Sequence, residues 1–433
     1  MSDSSDRLSL LQEDKLFMVL SRAGKPIFCC SETRGIQNES HFADVMAAAQ
    51  ALLSASRCLG AGQHLKSCKS FGGSHRTLYF LEKPHLFLFV VSHHNEPLLM
   101  LKMQLVLLHA QILSLLPMSG LTSLFEKSPG YDLRKLLTGS EQILSKLIYD
   151  FAWTPSTVLG AYPMVVMSPG AREDMRAVVF DSLVKTRARF GVVLSQNAIV
   201  TNVSSVFRRS KNSTGLDHWD VLLLMNFVSA NSVSLSQASE TVTTICMPFF
   251  NSHGNFFAYI RYIDSSTIIV FLSGSPIDDI YSYQEACVDV KVAWDSVKTV
   301  SLDEIVENCV SAERTNLSMD RYHFVFKNSI TGQYVWNASR TPHGIDLDSI
   351  IIRYGSMRAG MFALDGESPN RGPLQAFRLE ESREYIFIAF ASIEAEFFMC
   401  TNTSMSSEQA LECAQHLKNS LVSQSSFLFS SSL

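Results

Sequence analysis

The sequence has few charged residues. Lys, Arg, Asp and Glu make up 18% of its 433 residues, against about 25% in typical soluble domains. The net charge is −5, which excludes a global basic field that would attract nucleic acid. A thinly charged surface is expected when a partner covers part of it, and equally when the core is simply large. Composition alone does not choose between these two explanations.

The sequence also lacks the motifs of familiar bond-making chemistry. It contains neither HExxH nor GxSxG. The segment Gly60-Ala61-Gly62 misses the third glycine of a dinucleotide fingerprint and follows a predicted helix rather than a strand. The carboxylate pairs Asp278/Asp279 and Glu394/Glu396 have no matching base, and a helix start and a strand face explain them better. We therefore expect a protein that is not an enzyme and uses no cofactor.

Nothing in the cysteine and histidine pattern indicates a disulfide framework or a metal site. The nine cysteines form no CxxC pair and show no disulfide-like spacing. His93 and His94 could ligate a metal together with Cys58, His64 or Cys68, but this spacing fits no common zinc pattern, so solvated histidines are favoured. The N-terminal residues lack the charged and apolar regions of a secretory signal. These features indicate the reducing cytosol.

One segment approaches the length of a membrane span. It covers residues 98–116, but Lys102, Gln104, His109 and Gln111 interrupt it. Its leucines recur at helical spacing, which is typical of a helix buried along one side. The pattern predicts a core helix.

A repeated pattern is the main positive feature of the chain. Three times, an apolar run is followed by a tight polar turn and a second apolar run, in residues 16–29, 190–200 and 322–336. β-Branched and aromatic residues flanking such turns predict hairpins. Since a lone hairpin is marginally stable in water, each should open a larger packed unit.

The sequence of the first unit predicts strands and helices in the order β-β-α-β-β-β-α-α. After the hairpin come an Ala-rich helix, three strands and two helices, at residues 40–57, 65–71, 76–81, 86–91, 98–116 and 133–151. The second unit repeats the order, with helices at 219–228 and 281–297 and strands at 241–247, 256–263 and 267–272. The third repeats it less completely, with helices at 347–353 and 407–421 and strands at 385–390 and 394–400.

These units predict an α+β protein in which each antiparallel five-stranded sheet carries packed helices. We expect a short flexible N-terminus at residues 1–13 and three domains at residues 14–153, 171–299 and 320–433. Linkers are expected near residues 154–170 and 300–320. The Ser/Phe-rich residues 423–433 permit no structural prediction.

Basic residues cluster at one place in the second unit. They are Arg187, Arg189, Arg208, Arg209 and Lys211. A solvated loop explains them most simply, and an anionic-lipid headgroup site is the functional alternative.

Two segments resemble a known family closely. Residues 15–28, Lys-Leu-Phe-Met-Val-Leu-Ser-Arg-Ala-Gly-Lys-Pro-Ile-Phe, resemble the opening of the SAND, or monensin-sensitivity (Mon-one), vacuolar fusion proteins. Residues 131–141, Tyr-Asp-Leu-Arg-Lys-Leu-Leu-Thr-Gly-Ser-Glu, are similar to that family's Tyr-Asp-Leu-Arg-x-Leu-Leu-x-Gly-Ser-Glu segment. Residues 249–262 and 322–332 are similar to segments of the family's second and third units. The matching segments follow the family's order.

The resemblance implies three longin domains and a function. Family members pair with a second three-longin protein of the Ccz-one type, and the pair acts as a guanine-nucleotide exchange factor for a late-endosomal, Rab-seven-type GTPase. Association with an early-endosomal Rab and with phosphatidylinositol 3-phosphate membranes is implied too, so the expected location is cytoplasmic and peripheral on late endosome or vacuole membranes. The alternative is a longin scaffold or adaptor without exchange activity.

The resemblance also suggests which residues act. We expect the first unit to contact the GTPase or partner through Gly24, Lys25 and Pro26, and through Asp44, Ala47 and Ala48 on the first helix. An ordinary hairpin turn explains Lys25 and Pro26 equally well.

The chain departs from the family in three places. Cys29-Cys30-Ser31-Glu32 stand where the family has Ser-Arg-Tyr-Gly, the polar N-terminal extension is reduced to about a dozen residues, and the C-terminal segment is Ser-rich rather than a strand. The first departure puts the partner or GTPase contact in doubt.

Overall fold

The computed structural model describes eleven stretches of the chain. They are residues 15–31, 35–36, 46–47, 50–51, 67–69, 76–94, 96–205, 216–311, 322–337, 341–362 and 373–430. The chain divides into two compact units. The first comprises residues 1–157 and 246–254, and the second comprises residues 158–245 and 255–433.

The first unit is built on a sheet of six strands. They are β1 (Leu16–Ser21), β2 (Pro26–Ser31), β3 (Gly35–Ile36), β4 (Ser67–Lys69), β5 (Thr77–Lys83) and β6 (Leu86–Ser92), in the order β3-β2-β1-β6-β5-β4. β1 lies between β2 and β6 and is antiparallel to both. All of its side chains are buried, as are those of β6. Such continuous apolar runs are typical of central strands covered on both faces.

Four helices of this unit lie within the continuously described part after the sheet. They are Leu98–Leu115, Met118–Lys127, Arg134–Leu137 and Glu141–Trp153. The first is long and apolar enough to span a membrane, but 67% of it is buried inside the protein, as predicted for a core helix. The single helix predicted over residues 133–151 is wrong. Gly139 adopts φ +86° and interrupts it, and the Glu141 carboxylate accepts a hydrogen bond from the Gly139 N–H.

The second unit contains two sheets. The first has β8 (Phe190–Ser195), β9 (Ala198–Ser204), β10 (Thr241–Met247), β11 (Ser252–Tyr262) and β12 (Thr267–Ser273), in the order β10-β11-β12-β8-β9. Its helices are Pro169–Thr186, His218–Ala230, Ser232–Gln237 and Ile280–Asp295, followed by Leu302–Ser311. Residues 246–254, which contain the helical turn Pro248–Asn251, form part of the first unit.

The other sheet follows the same plan. Its strands are β13 (Tyr322–Asn328), β14 (Gln333–Trp336), β15 (Phe377–Glu381), β16 (Tyr385–Ala391) and β17 (Ala395–Asn402), in the order β15-β16-β17-β13-β14. Its helices are Leu347–Met361, Ser407–Ser423 and Ser425–Leu428. In all three sheets the opening hairpin's first strand pairs with the last strand of its unit, so the five-strand order is identical. The predicted α+β fold with three repeated antiparallel sheets is confirmed.

The predicted linker at residues 154–170 is wrong. The segment forms the helix Ser156–Leu159 and a strand, β7 (Tyr162–Pro163), which extends the third sheet by pairing parallel with β14. The Tyr162 N–H donates to Gly332 O at 3.0 Å, and the Val165 N–H donates to Ile199 O in β9 at 2.9 Å. This segment, which we call the shared strap (residues 162–167), therefore joins the edges of the second and third sheets.

The C-terminal segment holds the shared strap in place. Arg172, 4% exposed, donates from Nη2 to Val165 O at 2.9 Å and to Phe427 O at 2.8 Å. Phe429 is buried against the ring of Phe326, with ring centroids 5.4 Å apart. Residues 423–430, for which the sequence permitted no prediction, are thus an ordered part of the second unit. The predicted helix at residues 40–57 lies mostly outside the described residues, although residues 46–47 and 50–51 are helical.

Candidate interaction site on the first sheet

The turn between β1 and β2 is closed by its own hydrogen bonds. The Ser21 N–H donates to Lys25 O at 2.8 Å, and Ser21 Oγ accepts from the Lys25 N–H at 3.0 Å. Gly24 adopts φ +85°, a left-handed conformation that favours glycine. A Cβ at this position would also collide with the side chain of Gln50. The left-handed turn therefore favours glycine, whereas the amide end of the Gln50 side chain could move aside.

Lys25 connects this turn to a distant part of the chain. Its ammonium donates a hydrogen bond to Gly130 O at 2.6 Å, directly before the segment 131–141. The side chain is exposed, yet its ammonium is already engaged within the protein. The structure thus brings together the two segments that carried the family resemblance, and Lys25 lies where they meet.

The segment 131–141 is a small, internally capped unit. Leu133 and Leu137 are buried, whereas Leu136 is 42% exposed. The Asp132 carboxylate accepts hydrogen bonds from the Arg134 guanidinium at 2.8 Å and from the Arg134 backbone N–H. The guanidinium hydrogen bond lowers the pKa of Asp132. The segment is anchored by leucines on one side and presents Leu136 to solvent on the other.

A second turn lies beside the first. The Arg22 N–H donates to His85 O at 2.9 Å, and His85, in the β5–β6 turn, adopts φ +67°. The His85 ring stacks on Phe125 with centroids 5.3 Å apart, and its Nε2 lies 3.3 Å from Thr122 Oγ1. We call residues 21–26, 84–85 and 128–139 the turn cluster of the first sheet. Sequence reasoning identified the Lys83-Pro84 turn but gave no sign that His85 would contact the helix Met118–Lys127.

Not all predicted contact residues can be placed. Ala47 is helical and exposed, three residues before the Gln50 that contacts Gly24. Asp44 and Ala48 lie outside the described residues.

The Cys29-Cys30 departure from the family lies in the core. Both thiols belong to β2, and the two residues are 2% and 0% exposed. A buried pair cannot contact a partner directly, so this difference alters packing behind the turn rather than the surface in front of it.

The predicted lipid site is only partly described. Arg187 is exposed and left-handed at φ +56°, at the end of the helix Pro169–Thr186. The Arg189 guanidinium lies 5.7 Å from the Phe190 ring centroid, and Arg189 O accepts from the Ser205 N–H at 2.9 Å. Arg208, Arg209 and Lys211 lie outside the described residues. Arg189 therefore adjoins the last described residue before the basic loop.

A buried ion network in the second unit was missed from the sequence. Lys327 Nζ contacts Glu396 Oε1 at 2.6 Å and Leu159 O at 2.8 Å. Arg358 Nε contacts Glu396 Oε2 at 2.6 Å, and its Nη1 donates to Val158 O at 3.2 Å. Glu396 lies on the strand β17, in agreement with the strand-face explanation, but nothing in the sequence indicated its two cationic partners. Asp279, by contrast, caps a helix as predicted, accepting from the Ser282 N–H.

The charged groups of this network shift one another's pKa values. Burial alone would raise the pKa of Glu396, but Arg358 and Lys327 outweigh burial and lower it to about 2. Burial lowers the pKa of Lys327 to about 8, although the carboxylate opposes this shift. The network has a structural role, because its two cations also bind carbonyl oxygens at the start of the segment that leads into the shared strap.

Metal-binding groups are not assembled within the described stretches. No group of three or more His, Cys, Asp or Glu side chains there could hold an ion. His93 and His94 place their ring centroids 4.3 Å apart, while Cys58 and His64 lie outside the described residues. Six cysteines that the structure describes are buried: Cys29, Cys30, Cys246, Cys287, Cys400 and Cys413.

The strand order, the hairpin openings and the turn cluster define a longin-type protein, and comparison with known families agrees. Residues 15–147 match the family model described as the first longin domain of FUZ, MON1 and HPS1. Residues 186–289 match the second longin domain of the same proteins. The chain therefore belongs to the longin family of FUZ, MON1 and HPS1.

Its curated relatives carry the names that the resemblance suggested. The chain is 29% identical over 383 residues to "Vacuolar fusion protein MON1" of Cryptococcus neoformans, covering 84% of this chain and 56% of that protein. It is 31% identical over 264 residues to "Vacuolar fusion protein MON1 homolog A" of Bos taurus, covering 60% and 44%. It is 29% identical over 332 residues to "Protein SAND" of Takifugu rubripes, covering 74% and 58%. The chain thus spans about half the length of the curated relatives it matches.

Proposed function

We propose that this chain is a subunit of a vesicle-fusion machinery at the vacuole or late endosome. The family membership and the names of the MON1 and SAND relatives support this role. The three repeated sheets support it further, because they suit a protein that binds other proteins over broad surfaces.

The more specific proposal is that the chain activates a late-endosomal Rab GTPase together with a second three-longin protein. Exchange of this kind needs no bond-making side chain. A factor that binds the nucleotide-free GTPase more tightly than the loaded form weakens nucleotide binding by the same factor. A thousandfold faster release requires about 4 kcal/mol of such preference. A longin surface can supply this by holding a switch segment of the GTPase open.

The turn cluster is the part of the first sheet that we assign to this contact, and the Lys25–Gly130 hydrogen bond carries the assignment. It joins the two family segments at one surface. Since the Lys25 ammonium is already engaged, Lys25 acts by fixing the segment 131–141, and Leu136 offers the exposed apolar contact. In this view Gly24 and Pro26 shape the turn, and Ala47 belongs to the adjoining helical edge.

Membrane association would follow from a separate surface. Arg187 is exposed, and Arg189 O accepts from the N–H of Ser205, the last described residue before residues 206–215. With Arg208, Arg209 and Lys211 they would bind the headgroup of phosphatidylinositol 3-phosphate, and an early-endosomal Rab would add to recruitment.

Nucleotide-release kinetics test the exchange proposal. The purified chain with its three-longin partner should accelerate release of a fluorescent GDP analogue from the Rab. Lys25→Glu combined with Asp44→Lys should reduce that acceleration, because a carboxylate at position 25 repels the Gly130 carbonyl. Arg383→Glu, an exposed charge reversal near the third sheet, is the control and should leave the rate unchanged.

Two results would count against the assignment. An unchanged rate in the double variant would remove the turn cluster from the mechanism. If the unmodified complex binds the Rab without accelerating release, the chain is a longin scaffold instead.

A further inference from the structure

The two helices that cover one face of the second sheet carry an unusual outer surface. The helices Pro169–Thr186 and Ile280–Asp295 bury their inner sides against this sheet, in one core cluster with Val179, Tyr283 and Val290. On their outer sides four apolar residues are exposed: Val184 at 63%, Tyr281 at 79%, Val288 at 55% and Val292 at 66%. Core packing therefore does not account for these side chains.

Three of the four apolar residues share one side of the second helix. Tyr281, Val288 and Val292 are spaced seven and four residues apart, which places them on one side of a helix. The neighbouring residue of Val184, Lys185, reaches across to Glu285 at 3.1 Å and to Asp289 at 3.3 Å. Those ion pairs hold the last turn of the first helix beside the middle of the second. The exposed end of the first helix, where Val184 lies, is therefore next to the second helix.

Acidic residues dominate the remainder of this surface. Six exposed carboxylates occupy the two helices: Glu173, Asp174, Asp181, Glu285, Asp289 and Asp295. The cations that reach solvent are Arg176, Lys185 and Lys291 on the two helices and Arg187 at the end of the first helix. Lys185 pairs with Glu285 and Asp289, and Arg176 pairs with Glu173. The surface, which we call the acidic valine face, thus keeps a net negative charge beside its apolar residues.

We propose that the acidic valine face docks a basic amphipathic helix of a protein partner. Apolar side chains at helical spacing would cover the valines and Tyr281, and flanking lysines or arginines would meet the carboxylates. Charge complementarity identifies this occupant. The carboxylates of this face would repel an anionic membrane, in contrast to the proposed headgroup site that begins at Arg187 beyond the end of the first helix, and they would repel a second copy of the face too. The inference is independent of the exchange activity, because it concerns another domain.

Binding of a defined probe tests the proposal on the full-length chain. The probe is a fluorescent helical peptide of leucine and lysine, and the matched probe has glutamate in place of lysine. Titration by fluorescence anisotropy should show binding of the basic peptide alone. Raising the salt concentration from about 0.1 M to about 0.5 M should weaken it, since the contact is partly electrostatic.

Matched variants locate the site. The double variant Val288→Gln, Val292→Gln removes the apolar centre, and glutamine is a good helix former, so the helix should persist. Binding should weaken at least tenfold, since each buried methylene contributes about fourfold to the affinity. Val233→Gln changes a similarly exposed valine elsewhere, 69% exposed on the helix Ser232–Gln237, and should have no effect. Tyr281 serves as a second readout, because bound peptide should protect it from hydroxyl-radical oxidation.

Several results would overturn the proposal. They are failure of the basic peptide to bind, equal affinity for both peptides, or an unchanged affinity in the double valine variant. Binding to phosphatidylserine vesicles that is lost in the same variant would instead assign the face to membranes.

Discussion

The Lys25 ammonium donates to the carbonyl oxygen of Gly130 at 2.6 Å across a sequence separation of 105 residues. This hydrogen bond ties the first hairpin turn to the capped segment 131–141. In the proposed function, Lys25 would therefore position this segment as well as lie at the predicted contact surface.

Lys25→Met should therefore loosen the segment 131–141 without unfolding the protein. The hydrogen bond is exposed to solvent, so its loss should cost no more than about 1 kcal/mol. Hydrogen exchange of residues 131–139 should become faster while that of β1 stays unchanged. Lys135→Met, an exposed neighbour, is the control. Equal exchange in both variants would show that Lys25 does not position the segment.

Gly24→Ala should destabilise the first sheet. Alanine is strained at φ +85°, although the amide end of Gln50 can move away from its Cβ, so we expect a loss of about 1–3 kcal/mol in the free energy of unfolding. Gly120→Ala is a matched control because nothing lies within 4 Å of its Cβ. It should be neutral or stabilising by up to about 1 kcal/mol, since Gly120 is in a helix. Urea unfolding of the full chain measures both.

The buried network should make stability depend on acidity. The pKa of Glu396 falls from its ordinary 4.5 to about 2 on folding, so the unfolded state binds the proton more tightly. The contribution of Glu396 to the free energy of unfolding, about 3 kcal/mol, is then fully present above pH 4.5 and is lost as the pH falls towards 2. Glu396→Gln should remove this contribution, whereas Glu394→Gln, at an exposed position, should keep it. Identical acid profiles of the two variants would contradict the role of Glu396.

Removing one partner of that network should be costly at neutral pH. Lys327→Met leaves Glu396 paired with Arg358 alone, and we expect a loss of about 1–3 kcal/mol, less than for a buried charge with no partner. Thermal unfolding at pH 7 measures this, and Lys291→Met, an exposed lysine, should have little effect. A loss below about 1 kcal/mol would show that the pair is not effectively buried.

Arg172→Met should release the shared strap. The change leaves the Val165 and Phe427 carbonyls without their guanidinium donor. Hydrogen exchange and proteolysis should increase at residues 162–167 and 424–430. Arg176→Met removes only an ion pair with Glu173 at 3.4 Å and serves as control. If exchange rises equally in both variants, Arg172 is not what fastens the strap.

The sequence by itself determined the repeat. Continuous apolar runs such as β1, β6, β8 and β12 predict central strands, because a strand covered on both faces has no polar side to show. The edge strand β15, Phe-Arg-Leu-Glu-Glu, was missed because it is half exposed and its composition resembles a loop. Gly24, Lys25 and Pro26 were likewise recognisable from turn chemistry and from the family resemblance.

Only the tertiary structure decided where distant segments meet. The shared strap looked like a linker because its proline-containing residues have no strand periodicity, yet its backbone pairs with both flanking sheets. The sequence around Lys25 does not indicate that Gly130 is its partner, and the sequence around Lys327 does not indicate Glu396. A side chain's partner across the fold is set by sheet order and helix packing, and local periodicity records only which side of each element is buried.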